Sequence, residues 1–249
     1  MREARETSPT PADPRQRLTE ALRPIITLTV SSELDEDALT EAAESIEAIG
    51  ERLAEQVQGK RARQQPDMTR PVQEYFPTSP ITGLINPVAP PVLLTVVDGT
   101  DGGYREIHAR ANFDYPYEGP PTCVHGGVIA ETFDEILGAA NIVAGSPGMT
   151  GTLTIRYRKP TPLRTDLHLE ARCVGVSGRK IRTWGGIYHG DVLTAEAEGI
   201  FIEVPPGQIL AIAEENVDSA DPALVEAIRA EATRVGAASD FPGPAGPGA

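Results

Sequence analysis

Between Val92 and Val204 the chain offers a single long helix with one apolar face, and strand-like segments on both sides of it. The helix is read over Gly127–Val143, where Ile129, Phe133, Ile136, Leu137 and Ala140 recur at helical spacing. Ahead of it, Val92–Val97 and Tyr104–Phe113 flank the glycine-rich turn Asp98–Gly103 and read as a hairpin. Behind it come Thr150–Tyr157, Asp166–Val176, Ile181–His189 and Val192–Val204. These are punctuated by Pro160-Thr-Pro162, Ser177-Gly178 and Gly190-Asp191, which predicts an antiparallel meander of four strands. With only one helix to cover the strands, few arrangements remain. The economical one is an α+β domain whose curved antiparallel sheet wraps around one central helix.

The flanks read differently. Residues 1–14 form a polar lead. From Arg15 to Val30, Leu18, Leu22, Ile25 and Ile26 predict a short helix that carries Pro24. Ser31-Ser-Glu-Leu-Asp35 then supplies caps for a second helix, about Asp35–Val57. Leu39, Ala42, Ile46, Ile49, Leu53 and Val57 line one face of it, with Glu41, Glu44, Glu47, Glu51 and Glu55 on the other. Such an amphipathic helix is expected to pack on something, so residues 15–65 read as an N-terminal helical extension. Residues 58–90 are a polar, Pro-rich connection. The folded domain is taken as 66–205. Residues 206–249 add one helix, Pro222–Val235, and a Pro/Gly/Ala tail.

Composition limits the partners. A net charge of −14 argues against nonspecific binding to nucleic acid or membrane. Residues 156–182 depart from that balance, with eight basic residues against Asp166 and Glu170. A local basic cluster in an acidic protein suits a small anionic ligand. Cys123 and Cys173 form neither a disulfide framework nor a metal site. No apolar run approaches the ~18 residues a membrane span needs. The expectation is a soluble, cytoplasmic protein.

The chemistry concentrates in Cys123-Val-His125-Gly126-Gly127 and in Asp134, seven residues beyond the second glycine. Glycines at a helix N-terminus let a ligand approach backbone N–H groups that lack helical partners and lie at the positive end of the dipole. A carbonyl turning into an oxyanion is stabilised there. Asp134 falls on roughly the same helical face but about 10 Å further along, at ~1.5 Å per residue. One carbonyl cannot meet the Gly127 amide and a water held by Asp134 of the same helix. Two antiparallel helices would bring Gly127 of one chain opposite the partner's Asp134, giving a two-fold homodimer with shared sites. Gly138 and Ala130 leave room beside Asp134 for substrate or a neighbouring helix. Glu131, one turn earlier, is the second candidate carboxylate. A Cys123–His125 thiol–imidazole pair is also conceivable, with a structural thiol the plainer reading. Trp184, His168 and His189 read as packing residues.

These motifs, in this order on this element pattern, resemble the hotdog-fold acyl-CoA thioesterases, in the branch with the His-Gly-Gly, six residues, Asp signature. The resemblance covers roughly residues 88–204. It includes Gly119-Pro-Pro121 ahead of His125-Gly-Gly127, then Asp134, then Met149-Thr150 leading into Ile155-Arg-Tyr-Arg-Lys-Pro160, then Gly178-Arg179-Lys180. It implies a hotdog fold, a homodimer with a tetramer as the alternative, and hydrolysis of an acyl-CoA thioester to the free acid and CoA. It implies no metal or redox cofactor, CoA being part of the substrate. Asp134 would be general base or nucleophile, Gly127 N–H the oxyanion donor, His125 a shaper of the turn, and Thr150 a hydroxyl placing the attacking water. Gly126 would line the substrate site. Arg158 and Lys159, with Arg179 and Lys180, would hold the CoA phosphates from one edge. The chain departs from the pattern at Gly119, where many relatives carry Asn or Gln.

Two other functions compete. A non-catalytic module could bind acyl-CoA without turnover, although such a binder needs no carboxylate beside the thioester. A hydratase or dehydratase of 3-hydroxyacyl thioesters would need paired acid and base groups, for which His125 is the one candidate partner.

Overall fold

The computed structural model describes residues 13–57, 71–99 and 103–204. The helix expected over 222–235, the C-terminal tail and most of the polar lead lie outside these residues.

Two helices come first. Helix α1 (Pro14–Ser31) starts at Asp13, whose carboxylate accepts from the Arg15 N–H, and runs on through Pro24. Helix α2 (Glu36–Glu55) is capped by Asp35, accepting from Ala38 N–H. Glu36 and Asp37 in its first turn and Arg52 in its last suit the helix dipole. The expected packing of α2 is absent among the described residues. None of its residues is buried, and Leu39, Ile46, Ile49 and Leu53 each stay more than 40% exposed.

The Pro-rich connection also departs from expectation. After residue 70 it is core structure rather than a polar linker. Val72, Tyr75, Ile81, Ala89 and Val92 are buried. The Gln73 amide donates to Thr82 O at 2.7 Å and accepts from Leu94 N–H at 2.6 Å. Buried Ser79 accepts from the N–H groups of Ile81 and Thr82. Polar residues dominated the sequence pattern here because they satisfy backbone groups that a proline-rich segment cannot pair with itself.

The sheet comprises β1 (Leu93–Val97), β2 (Glu106–Ala111), β3 (Gly148–Tyr157), β4 (Leu167–Ser177), β5 (Lys180–His189) and β6 (Val192–Glu203). Its order is β1-β2-β4-β5-β6-β3, and each neighbouring pair is antiparallel. The hairpin β1–β2 and the meander β4–β5–β6 match the sequence reading. Gly178 and Gly190, with φ of 55° and 56°, supply the left-handed residues that the two tight turns require.

Strand β3 does not. It pairs with β6 at the far edge instead of with β4. Pro160 and Pro162 have no N–H to donate across a hairpin, and the connector bonds elsewhere. Val124 N–H donates to Thr161 O, and Leu163 N–H donates to Thr122 O. The chain leaving β3 is thus tied to the segment just ahead of helix α3 (Gly126–Val143) before it returns as β4 beside β2.

Helix α3 lies on the concave sheet, burying Ile129, Phe133, Ile136, Leu137 and Ala140 against Ile107, Leu169, Ile187 and Phe201. Register shifts in β3, β4 and β5–β6 assist the curvature. Glycines clear the floor beneath the helix. A Cβ on Gly185 would lie 3.1 Å from Leu137 Cδ2 and 2.9 Å from Glu170 O, and one on Gly199 would lie 2.5 Å from Thr183 Oγ1. This is the hotdog arrangement expected, an α+β sheet wrapped around one helix with a helical extension in front.

Candidate active site

The approach to α3 is built by backbone. Gly119 N–H donates to Cys123 O, Val124 N–H to Thr161 O and His125 N–H to Tyr117 O, each between 2.8 and 2.9 Å. The Glu118 carboxylate accepts from Thr122 N–H at 2.7 Å and holds Thr122 at a φ of 67°. This braced turn delivers His125 to the N-cap of α3, where its Nδ1 accepts from Gly127 N–H at 2.9 Å. A neutral imidazole that accepts at Nδ1 carries its proton on Nε2. The carbonyl of Gly126 accepts from the Tyr157 hydroxyl at 2.9 Å.

The space around this turn is tight. A Cβ on Gly119 would lie 2.7 Å from His125 Cα, so no side chain fits there without moving the histidine. A Cβ on Gly127 would lie 3.0 Å from His125 Nδ1. Gly119 is therefore a packing requirement of the turn as well as the missing amide that the resemblance implies. Gly138, expected to leave room beside Asp134, faces Phe201, with Cε1 3.8 Å from where its Cβ would stand.

Two turns along α3, the Asp134 carboxylate accepts from the Thr150 hydroxyl at 2.6 Å. Both residues are exposed, and β3 supplies Thr150 from the sheet edge. The structure thus brings Asp134 and Thr150 together, and it pairs His125 with Gly127. The two pairs sit about 10 Å apart along one helix, at ~1.5 Å per residue. Glu131 is exposed and contributes no hydrogen bond to either pair. Glu135 turns away, its carboxylate accepting from Thr82 Oγ1 at 2.9 Å.

The four candidate cations do not share one edge within the chain. Arg158 and Lys159 follow Tyr157, which pairs with Ala195, near the start of α3. Arg179 and Lys180 sit where Lys180 pairs with Ile202, close to the Thr150 end of β3. The ten-residue length of β3 separates the two sites by roughly 30 Å at ~3.3 Å per residue. Arg158 is ion-paired with Glu196, and hydrogen bonding from that guanidinium holds the Glu196 carboxyl below its ordinary range. The Arg179 guanidinium donates to Glu203 O at 3.1 Å, whereas Lys159 and Lys180 have no ion-pair partner among the described residues. Arg156 bonds Glu198 at 2.8 Å, and Arg172 stacks over Trp184 at 4.3 Å.

Cys173 is buried in the core, and burial pushes its thiol pKa up. Cys123 is half-buried, and the neighbouring His125 Nδ1 is engaged by Gly127. His168 and His189 are exposed rather than packed, the His168 ring lying edge-on to His108, whereas Trp184 is half-buried. The sequence reading gave no role to Tyr157 or Glu196. A lone aromatic directly before Arg158-Lys159-Pro160 was the available signal for the first. Glu196 carried none, because its pairing with Arg158 depends on strand register.

Known proteins support a common origin. The thioesterase superfamily model matches residues 122–196, which span the turn, α3 and most of the sheet. Acyl-coenzyme A thioesterase THEM4 of Xenopus laevis is 36% identical over 94 residues, and that of Mus musculus is 35% identical over 91. Each match covers 36% of this chain, and the chain spans 42% and 39% of the length of those relatives. A thioesterase superfamily protein of known crystal structure is 32% identical and superposes with a TM-score of 0.67. That match covers 79% of this chain and 94% of the other. On the last of these likenesses, carried over nearly the full length of a relative with the same fold, the chain belongs to the thioesterase superfamily.

Proposed function

We propose that the protein hydrolyses an acyl-CoA thioester to the free acid and CoA. The Thr150–Asp134 hydrogen bond carries this reading, because it orients an exposed carboxylate on the helix that also presents the glycine turn. With one Asp134 oxygen fixed by Thr150, the other is free to act as general base on water or as nucleophile. Addition to the thioester carbonyl places negative charge on its oxygen, and Gly127 N–H stabilises it. With Asp134 as base, the proton it takes from water passes to the CoA sulfur as collapse breaks the C–S bond. With Asp134 as nucleophile, loss of CoA thiolate leaves a mixed anhydride that water hydrolyses to the free acid, the released proton neutralising the thiolate. The carbonyl competes with His125 Nδ1 for the Gly127 proton, and this pre-existing bond keeps the peptide aimed and ordered beforehand. The THEM4 relatives, acyl-coenzyme A thioesterases by name, support the substrate class.

The separation of the two pairs along α3 supports a homodimer in which Gly127 of one protomer faces the partner's Asp134. The same two-fold relates the cations. Arg158 and Lys159 lie at the glycine end and Arg179 and Lys180 at the carboxylate end, so each site receives one pair from each protomer to hold the CoA phosphates.

A second reading, an acyl-CoA-binding module without turnover, draws on the same Gly127–His125 bond, which fills the donor. A thiol-release assay across an acyl-CoA panel separates the two. The native chain releases CoA from at least one substrate. Asp134→Asn still binds it but turns over at least ~100-fold more slowly, the range expected for loss of a general base. Undiminished hydrolysis by Asp134→Asn, or binding without release by the native chain, sinks the proposal.

A further inference from the structure

Gly126 and Gly127 share one planar peptide unit, and both of its polar ends are held. Its N–H donates to His125 Nδ1 at 2.9 Å, and its carbonyl accepts from Tyr157 Oη at 2.9 Å. The direction of the second bond is unambiguous, since a carbonyl has no proton to give. The Tyr157 ring also lies against the turn, with Oη and ring carbons 3.5–3.6 Å from where a Gly126 Cβ would stand. The strand end that carries it is fixed, because Arg158 N–H and Lys159 N–H both donate to Thr194 O.

We propose that Tyr157 is a positioning residue for this peptide, orienting the Gly127 N–H and strengthening it as an oxyanion donor. The inference rests on the thioesterase reading for its consequence in turnover, but its physical content is independent of it. A hydrogen bond to an amide oxygen draws charge across the planar unit and leaves the N–H on the far side a better donor, a cooperative gain of some 10–30% per bond. The same bond fixes the plane of the peptide, and so the line along which the N–H points. A fold role explains the contact poorly. Tyr157 is 54% exposed, and water is available to both its hydroxyl and the carbonyl, so the exchange contributes little to stability. Its effect falls on the peptide whose N–H, held by His125 Nδ1 in the structure, serves as oxyanion donor in the proposed reaction.

Tyr157→Phe removes only the hydroxyl. The proposal expects kcat to fall about 5–10-fold with KM for the best acyl-CoA within about twofold, because the donor matters most when charge develops on the oxygen. In a glycine-selective ¹⁵N-labelled sample, the Gly127 amide proton resonance shifts upfield in Tyr157→Phe. Arg156→Gln, one residue away and engaged with Glu198, leaves both readouts unchanged. An unmoved Gly127 resonance overturns the proposal whatever the activity, and so does an unchanged kcat in an enzyme that Asp134→Asn inactivates. If the native chain releases no CoA, the thioesterase reading fails by itself and the resonance shift alone decides the role of Tyr157.

Discussion

Gly119 shows how one missing Cβ can matter twice. The resemblance to thioesterases implies a lost side-chain amide at this position, a deficit that substitution to Asn would repair. The geometry says otherwise, since a Cβ there would lie 2.7 Å from His125 Cα and 3.1 Å from His125 Cβ. Backbone atoms at that separation cannot be accommodated without moving the N-cap. Gly119→Asn is therefore expected to lower kcat by about tenfold or more, through a misplaced His125–Gly127 bond, rather than raise it. Thiol release under saturating acyl-CoA measures this, and an equal or faster variant would show that the turn is more pliant than it looks. Asp134 and Thr150 belong to the same scale. Each was visible as a residue, but their 2.6 Å bond depends on β3 arriving beside the middle of α3.

Among the elements, α2 and β3 carry the main departures from the sequence reading. Periodicity correctly placed α2, yet none of its residues is buried, and α1 is the helix that docks on the domain. Thr19 is buried, and Arg23 donates to Gly83 O and Asn86 O, both at 3.1 Å. A hydrophobic stripe records that a face needs covering without naming what covers it. Replacing Ile46 and Ile49 with Glu together is expected to change the stability of the domain by less than about 0.5 kcal/mol, as at other surface positions. Urea denaturation checks this, and a larger loss would show that the stripe is covered in the assembled protein. For β3, proximity in sequence suggested pairing with β4. The Pro160-Thr-Pro162 connector instead bonds to the segment ahead of α3, which leaves β3 on the edge.

At the scale of the whole molecule, the open edge of β3 suits the homodimer proposed above. A long unpaired edge strand is a natural surface for association. The shared-site dimer predicts complementation. Asp134→Asn and Gly127→Val homodimers are each inactive, but unfolding and refolding an equimolar mixture restores roughly a quarter of native activity. Half of the dimers are then mixed, and each holds one intact site of two. Thiol release after remixing measures it, and no recovery from a mixture shown to contain heterodimers would contradict the shared site.

By itself, the sequence determined the α+β class, the central helix, the hairpins and the candidates His125, Gly127 and Asp134, because each is written in local periodicity, turn residues or spacing; Thr150 entered only through the resemblance to thioesterases. It also implied two separate half-sites, since helical rise is fixed. Only the tertiary structure decided that the Pro-rich stretch from 71 to 90 buries residues in the core, that β3 stands beside β6, that Arg158 is engaged by Glu196, and that Tyr157 reaches the Gly126 carbonyl. Each of these joins residues distant in the chain through register or connector path, quantities on which local sequence places no constraint.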